Sequence, residues 1–167
     1  MTLGTTAQVR DERAVSDLAS YSQIGAADRA ALTALCVEYA WRVDNYYTET
    51  VPELFVDDGV WEAFGDPMIG KEALVKGWKA RASIGDRLLR RHLISNLRFA
   101  KGSDGVVRGW HALTYFQGER GQTTMPSVTM VGEYHDTYQK NADGTWLFKT
   151  RKMIPIFPDS WSSPTPK

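Results

Sequence analysis

Apolar residues recur at Leu32, Leu35, Cys36, Tyr39, Ala40 and Val43, the i, i+3, i+4, i+7 spacing of a helix with one buried stripe. Asp28 follows Gly25-Ala26-Ala27 as the expected N-cap, and the run gives way to a loop at about Asp44. Asp44 lies one position beyond Val43, beside the stripe and near the helix C-terminus. The macrodipole disfavours an anion there and apolar neighbours desolvate it, so this carboxylate either faces solvent or has a partner. Upstream, Met1 to Thr6 reads as a frayed tail and Ala7 to Ser20, with Val9, Val15 and Leu18, as a short outer helix. Downstream, Pro52 suits the first turn of a short helix, Pro52 to Phe55, closed by Asp57-Asp58-Gly59. Val60 to Phe64 reads as a strand, Gly65-Asp66-Pro67 as a turn, and Gly70-Lys71-Glu72 opens a helix carrying Ala73, Leu74, Gly77 and Trp78.

Beyond Arg90 the chain turns to long strand-like runs punctuated by turn residues. His92 to Phe99, Val106 to Gln117, Met125 to Gln139 and Trp146 to Pro155 are four strands, separated by 102–105, 118–122 and 141–144. Helices followed by a meander predict an α+β fold, a curved, mostly antiparallel sheet wrapped around the N-terminal helices as a cone-shaped barrel. Bending such a sheet leaves a mouth that can hold a ligand. The expected organisation is an N-terminal extension over 1–26, one domain over 27–157 and a Pro- and Ser-rich tail over 158–167, whose Trp161 suits capping a pocket or packing on a neighbour.

A chain of 167 residues with 43% hydrophobic content is long enough to bury a core without disulfides. Its 20 Lys and Arg are scattered among 20 Asp and Glu, and the cluster Arg87 to Arg91 is too short for an electrostatic footprint, so no nucleic-acid partner is expected. The single cysteine, Cys36, lies on the apolar stripe as a small hydrophobe. Asp57, Asp58 and Glu62 alternate with apolar residues and read as a solvated turn, so no metal is expected. No phosphate loop, nucleophile elbow or nicotinamide fingerprint occurs, and no cofactor is expected. Without a signal-peptide core or a span of membrane length, the expectation is a cytoplasmic protein with no membrane partner.

Several strings resemble the NTF2-like, SnoaL-like superfamily, and within it the branch of scytalone dehydratase, hexachlorocyclohexane dehydrochlorinase and bile-acid dehydratase. They are 39–44 (Tyr-Ala-Trp-Arg-Val-Asp), 54–61, 92–98, Thr123-Thr124-Met125 with 128–132, and 143–149. The resemblance covers Ala27 to Phe157 and implies an NTF2-like cone. In catalytic members an Asp ending the first core helix meets a His at the start of a sheet strand, and the matching positions are Asp44 and His92. The chemistry is sound on its own terms: an aspartate bonded to one ring nitrogen fixes the imidazole tautomer and stabilises the imidazolium. Tyr39 matches a tyrosine that polarises substrate in the bile-acid branch, although its spacing equally suits a core aromatic. His111 shares strand parity with Tyr115 and so could face the cone, but its Gly-Trp-His string resembles a non-catalytic histidine of scytalone dehydratase. That family's second catalytic histidine falls near Gln117, and its serine and asparagine at Asp136 and Tyr138, departures that argue against scytalone as substrate.

The expected function is a cofactor-independent lyase performing a dehydratase-type elimination on a hydrophobic cyclic small molecule. His92 is the general base, Asp44 its support and Tyr39 the oxyanion donor, with His111, Trp61, Tyr115, Met130, Tyr134 and Phe148 as the substrate wall. A polyketide-type cyclase or isomerase with the same dyad, or a non-catalytic binding or assembly module, is the alternative. The resemblance also implies a homo-oligomer, a trimer before a dimer.

Overall fold

The computed structural model describes residues 24–63 and 65–157, so the expected outer helix, both tails with Trp161, and Phe64 lie outside the described residues. The first helix, α1 (Ala26–Asp44), buries the expected stripe, Leu32, Leu35, Cys36, Tyr39, Ala40 and Val43, together with Asp44. Gly25, in extended backbone, takes the N-cap position without a side-chain bond, which corrects the expectation for Asp28. Asp28 sits in the first turn and accepts hydrogen bonds from Lys140 Nζ at 2.8 Å and Trp146 Nε1 at 2.9 Å, tying the helix start to the sheet. At the other end the Tyr47 N–H reaches the Arg42 carbonyl at 2.9 Å while Tyr46 adopts φ 69°. This Schellman closure stops the helix at Asp44 and fixes where its carboxylate emerges.

A 3-10 helix, Thr48–Leu54, replaces the helix expected at Pro52 to Phe55. Strand β1 (Phe55–Glu62) then begins at Phe55 and runs through Asp57-Asp58-Gly59. Those turn-forming residues are used in an irregular register between Phe55 and Val60, where a Cβ on Gly59 would stand 2.8 Å from the Val56 carbonyl oxygen. Next come β2 (Met68–Ile69), α2 (Gly70–Ala82), a 3-10 turn at Gly85–Arg87, β3 (Leu88–Lys101), β4 (Val107–Glu119), β5 (Val128–Lys140) and β6 (Trp146–Pro155). Met125 falls before β5 and is 85% exposed, so it belongs to neither strand nor core.

The strands form one open sheet in the order β2-β1-β6-β5-β4-β3, with β1 and β6 parallel and the other neighbours antiparallel. Its long strands bend where register shifts, in β3 between Ser95 and Arg98, where Asn96 has φ 55°. A bulge with Asn in the left-handed region increases local twist and curls the sheet around α1 and α2, giving the expected α+β cone. The helices meet the concave face over an aromatic core in which the Tyr39 ring lies edge-on to Trp78, Tyr134 and Phe148 at 5.8, 5.9 and 6.0 Å.

Candidate active site

The closure of α1 places Asp44 against the start of β3. Asp44 Oδ1 is 2.6 Å from His92 Nδ1, and Asp44 Oδ2 accepts the His92 backbone N–H at 2.8 Å. The second bond matters as much as the first, because it fixes the carboxylate relative to the strand and not only to the ring. With Nδ1 committed as donor to a carboxylate, Nε2 is the nitrogen left with a lone pair. The His92 ring leans on Tyr115, with centroids 4.7 Å apart.

His92 lines a cavity of about 530 Å³ inside the cone, within the usual range for small-molecule sites. Tyr39, Trp61, Tyr115, Met130 and Tyr134 line it, with Trp78, Met153 and Leu88 adding apolar wall. Asp44 does not line it. The carboxylate borders a second, shallower depression together with Val37, Trp41, Arg91, Ile94 and His92. The Tyr39 oxygen accepts a hydrogen bond from Trp61 Nε1 at 2.8 Å and has the Tyr134 hydroxyl as a second polar neighbour. Burial raises the Tyr39 phenol above its ordinary range, opposed chiefly by the Arg151 cation, so Tyr39 is a protonated donor at neutral pH.

Two expected wall residues stand elsewhere. Phe148 is fully buried under Tyr39 and Phe55, and His111, 2% exposed, belongs to a sealed polar cluster beneath the cavity. There Arg151 Nη2 donates to His111 Nε2 at 2.8 Å and lies 3.3 Å from Asp136 Oδ2, while its guanidinium carbon stacks over Tyr39 and Tyr134 at 4.0 Å from each ring. Tyr138 donates to Asp136 at 2.9 Å and lies 3.3 Å from Cys36 Sγ. Parity places His111 on the concave side, as the structure does; α1 and the inward-facing Arg151 of β6 cover it there. Cys36, His111 and Asp136 hold their ligand atoms within 4.8 Å of one another, but the set does not fit a metal. Arg151 already supplies a cation at that point, and burial pushes the Cys36 thiol up to about 12, away from the thiolate a metal requires.

Reasoning from sequence passes over two cavity residues, Arg81 and Arg90. Both carry a signal. Arg90 precedes His92 by two positions in a strand and so shares its face, and Arg81 continues the α2 stripe Leu74, Trp78 at helical spacing. Grouping Arg90 with the short basic cluster Arg87 to Arg91 hides the first of these.

The SnoaL-like domain family matches residues 25–152, nearly all of the described chain. Scytalone dehydratase from Pyricularia oryzae is 34% identical over 95 residues, which cover 54% of this chain and 52% of that enzyme. The chain thus spans about half the length of the curated relative it matches. Among solved structures, ActVI-ORFA from Streptomyces coelicolor superposes with a TM-score of 0.68 at 15% identity, covering 77% of this chain and 96% of its own. Aln2 from another Streptomyces species gives 0.67 at 19%, covering 79% and 93%. These structural likenesses speak to the fold alone. Among the described residues no helix is long and apolar enough to cross a membrane.

Proposed function

The chain belongs to the SnoaL-like domain family, and from that premise we propose that it is a cofactor-independent lyase eliminating water from a hydrophobic, cyclic small molecule. The observation that carries the reading is the 2.6 Å Asp44–His92 contact at the wall of an aromatic cavity. His92 Nε2 takes a proton from a carbon beside a carbonyl or similar activating group, with Asp44 holding the ring and favouring the imidazolium. Tyr39, its oxygen already receiving the Trp61 N–H, donates a hydrogen bond to the oxyanion that develops and keeps its proton throughout. The carbon electron pair becomes the new double bond as the carbon–oxygen bond breaks, and the imidazolium returns its proton to the departing oxygen. One water leaves, and the atoms balance without a co-reactant.

The likeness to a scytalone dehydratase supports elimination over cyclisation, which the same base could begin on an enolisable chain. A cavity beside a paired histidine supports an enzyme over an assembly module, for which a filled cone would serve. Identifying by mass spectrometry what co-purifies in the cone gives the substrate. In deuterated water the wild type then exchanges the activated C–H and releases water, and His92→Ala does neither. Exchange surviving in His92→Ala overturns the assignment. We propose a homo-oligomer as well, a trimer before a dimer, supported by exposed Val37, Trp41, Tyr47 and Leu93 and decided by sedimentation.

A further inference from the structure

Several cations among the described residues are in ion pairs. Arg42 bonds Glu38 and Glu53, Arg108 bonds Asp104, Arg120 bonds Asp86, Lys152 bonds Glu62, and even the deeply buried Arg151 has Asp136. The cavity holds two that are not. Arg81 and Arg90 both line it, and the described residues around it include no Asp or Glu. Among the described residues neither arginine is in an ion pair; Arg90 hydrogen-bonds the Tyr115 hydroxyl, and Arg81 Nε is buried with no hydrogen-bond partner.

Arg81 is held in place by aromatic faces, its guanidinium carbon 4.5 Å from the Trp61 ring centroid and 5.6 Å from that of Trp78. Cation–π contact fixes the position of such a charge without neutralising it. Burial is the largest influence on Arg81 and works against its charge, and Arg90 adds like-charge repulsion to it. Service as a helix-end cation does not account for the inward turn, because Lys79 in the same last turn faces solvent. Two cations brought together in a desolvated, carboxylate-free cavity stabilise an anion placed between them.

We propose that Arg81 and Arg90 form a carboxylate-binding subsite, and that the ligand of this cavity is a hydrophobic ring system bearing an acid group. The planar guanidinium fork matches a carboxylate, while Trp61, Trp78, Met130 and Met153 take the ring. The acid is thereby anchored in the same cavity as His92. This deepens the lyase reading by giving its substrate a class, but the binding itself does not depend on turnover.

The test is binding of 2-naphthoate and its neutral counterpart 2-naphthamide, followed by calorimetry or by quenching of tryptophan fluorescence. The wild type binds naphthoate more tightly by roughly 10- to 100-fold, the range expected for a hydrogen-bonded charge pair, and the preference shrinks with added salt. Arg81→Met and Arg90→Met each cut the preference at least about tenfold while leaving naphthamide unchanged. Arg81→Lys, which keeps the charge and loses the fork, falls between, and thermal melts of each variant establish that it folds. Equal affinity for the two probes, binding of neither, or an equal loss of both in the arginine variants overturns the subsite. His92→Ala keeps the naphthoate preference, so a failed turnover experiment removes the lyase reading and leaves the subsite standing, and equal probe affinities do the reverse.

Discussion

The cone holds two His–Asp pairs built from the same groups in opposite surroundings, one between α1 and β3 and one within the sheet. His92 and Asp44 meet at 2.6 Å with side chains 10% and 8% exposed, at the rim where helix, strand and cavity converge. His111 and Asp136 stand 3.8 Å apart with side chains wholly buried, and Arg151 lies against both. In the first pair one nitrogen is committed to the carboxylate and the other is free to work. In the second, Nε2 is occupied as acceptor from Arg151, and Nδ1 has no hydrogen-bond partner among the described residues. A histidine–aspartate pair becomes a candidate base only where its spare nitrogen meets a space a ligand can enter; the same pair closed over by helix and arginine is a structural ion cluster.

Breaking the open pair has the largest expected effect. His92→Ala removes the proton acceptor and lowers turnover of the identified substrate by roughly 10²–10⁴-fold. Asp44→Asn keeps the shape but removes the charge and can invert the tautomer, with a loss of similar size. The double variant loses no more than the larger single, because the two act as one unit. Multiplicative losses break the comparison, since they make Asp44 a group with an independent role. Tyr39→Phe costs less than His92→Ala, because the base survives while one oxyanion donor is lost. Thermal melts alongside establish that each variant is folded, Tyr39→Phe losing some stability because the buried Trp61 N–H loses its acceptor.

Breaking the closed pair moves stability instead. Arg151→Met strands Asp136 as an unpaired buried carboxylate, in a site where burial already pulls its carboxyl up to about 6 against the opposing Arg151 charge. Urea unfolding of this variant should show a loss of about 3–5 kcal/mol. The double replacement Arg151→Met with Asp136→Leu is expected to lose less than the single, since no charge is left without its partner. An equal or larger loss in the double makes the cluster's value one of packing over Tyr39 and Tyr134 and not of charge.

The difference between the pairs is only half legible in the sequence. The α1 stripe, the α2 stripe and the four long strands follow from period alone, and Trp146 to Pro155 matches its strand to the residue. Period puts Asp44 beside the α1 stripe and leaves its partner open, the family resemblance pairs it with His92, and strand parity puts Arg90 on the His92 face, although the basic cluster around that arginine reads as surface charge. Depth is the missing quantity. Parity places His111 and Phe148 on the concave side as firmly as Tyr115, and no periodicity tells a floor residue covered by α1 from one left open under the mouth. Asp28 and Asp57-Asp58-Gly59 mislead for a different reason: tertiary partners, Lys140 with Trp146 in one case and the neighbouring strand in the other, override their local capping and turn preferences.

The smallest expected effect sharpens the comparison through pH. Burial, reinforced by the Arg151 charge, holds the His111 imidazole down to about 2, against 6.5 for an ordinary histidine. Between those values the unfolded chain binds a proton that the folded chain refuses, so this contribution to stability is whole above about pH 6.5 and is lost as pH falls. Asp136 works in the opposite sense, its raised carboxyl adding stability as pH falls below about 6, so the net profile of the wild type is nearly flat where the two overlap. The measurable quantity is therefore the difference from His111→Gln, which can still accept from Arg151 but cannot titrate. Urea unfolding from pH 7.5 to 5 in steps of about half a unit should show the wild type losing ground on the variant by up to about 1.4 kcal/mol per pH unit below about 6.5. The Asp136 contribution is common to both chains and cancels in the difference. A gap independent of pH means that the folded protein protonates His111 as readily as the unfolded chain does, which only an open site allows, and the contrast with His92 would then rest on geometry alone.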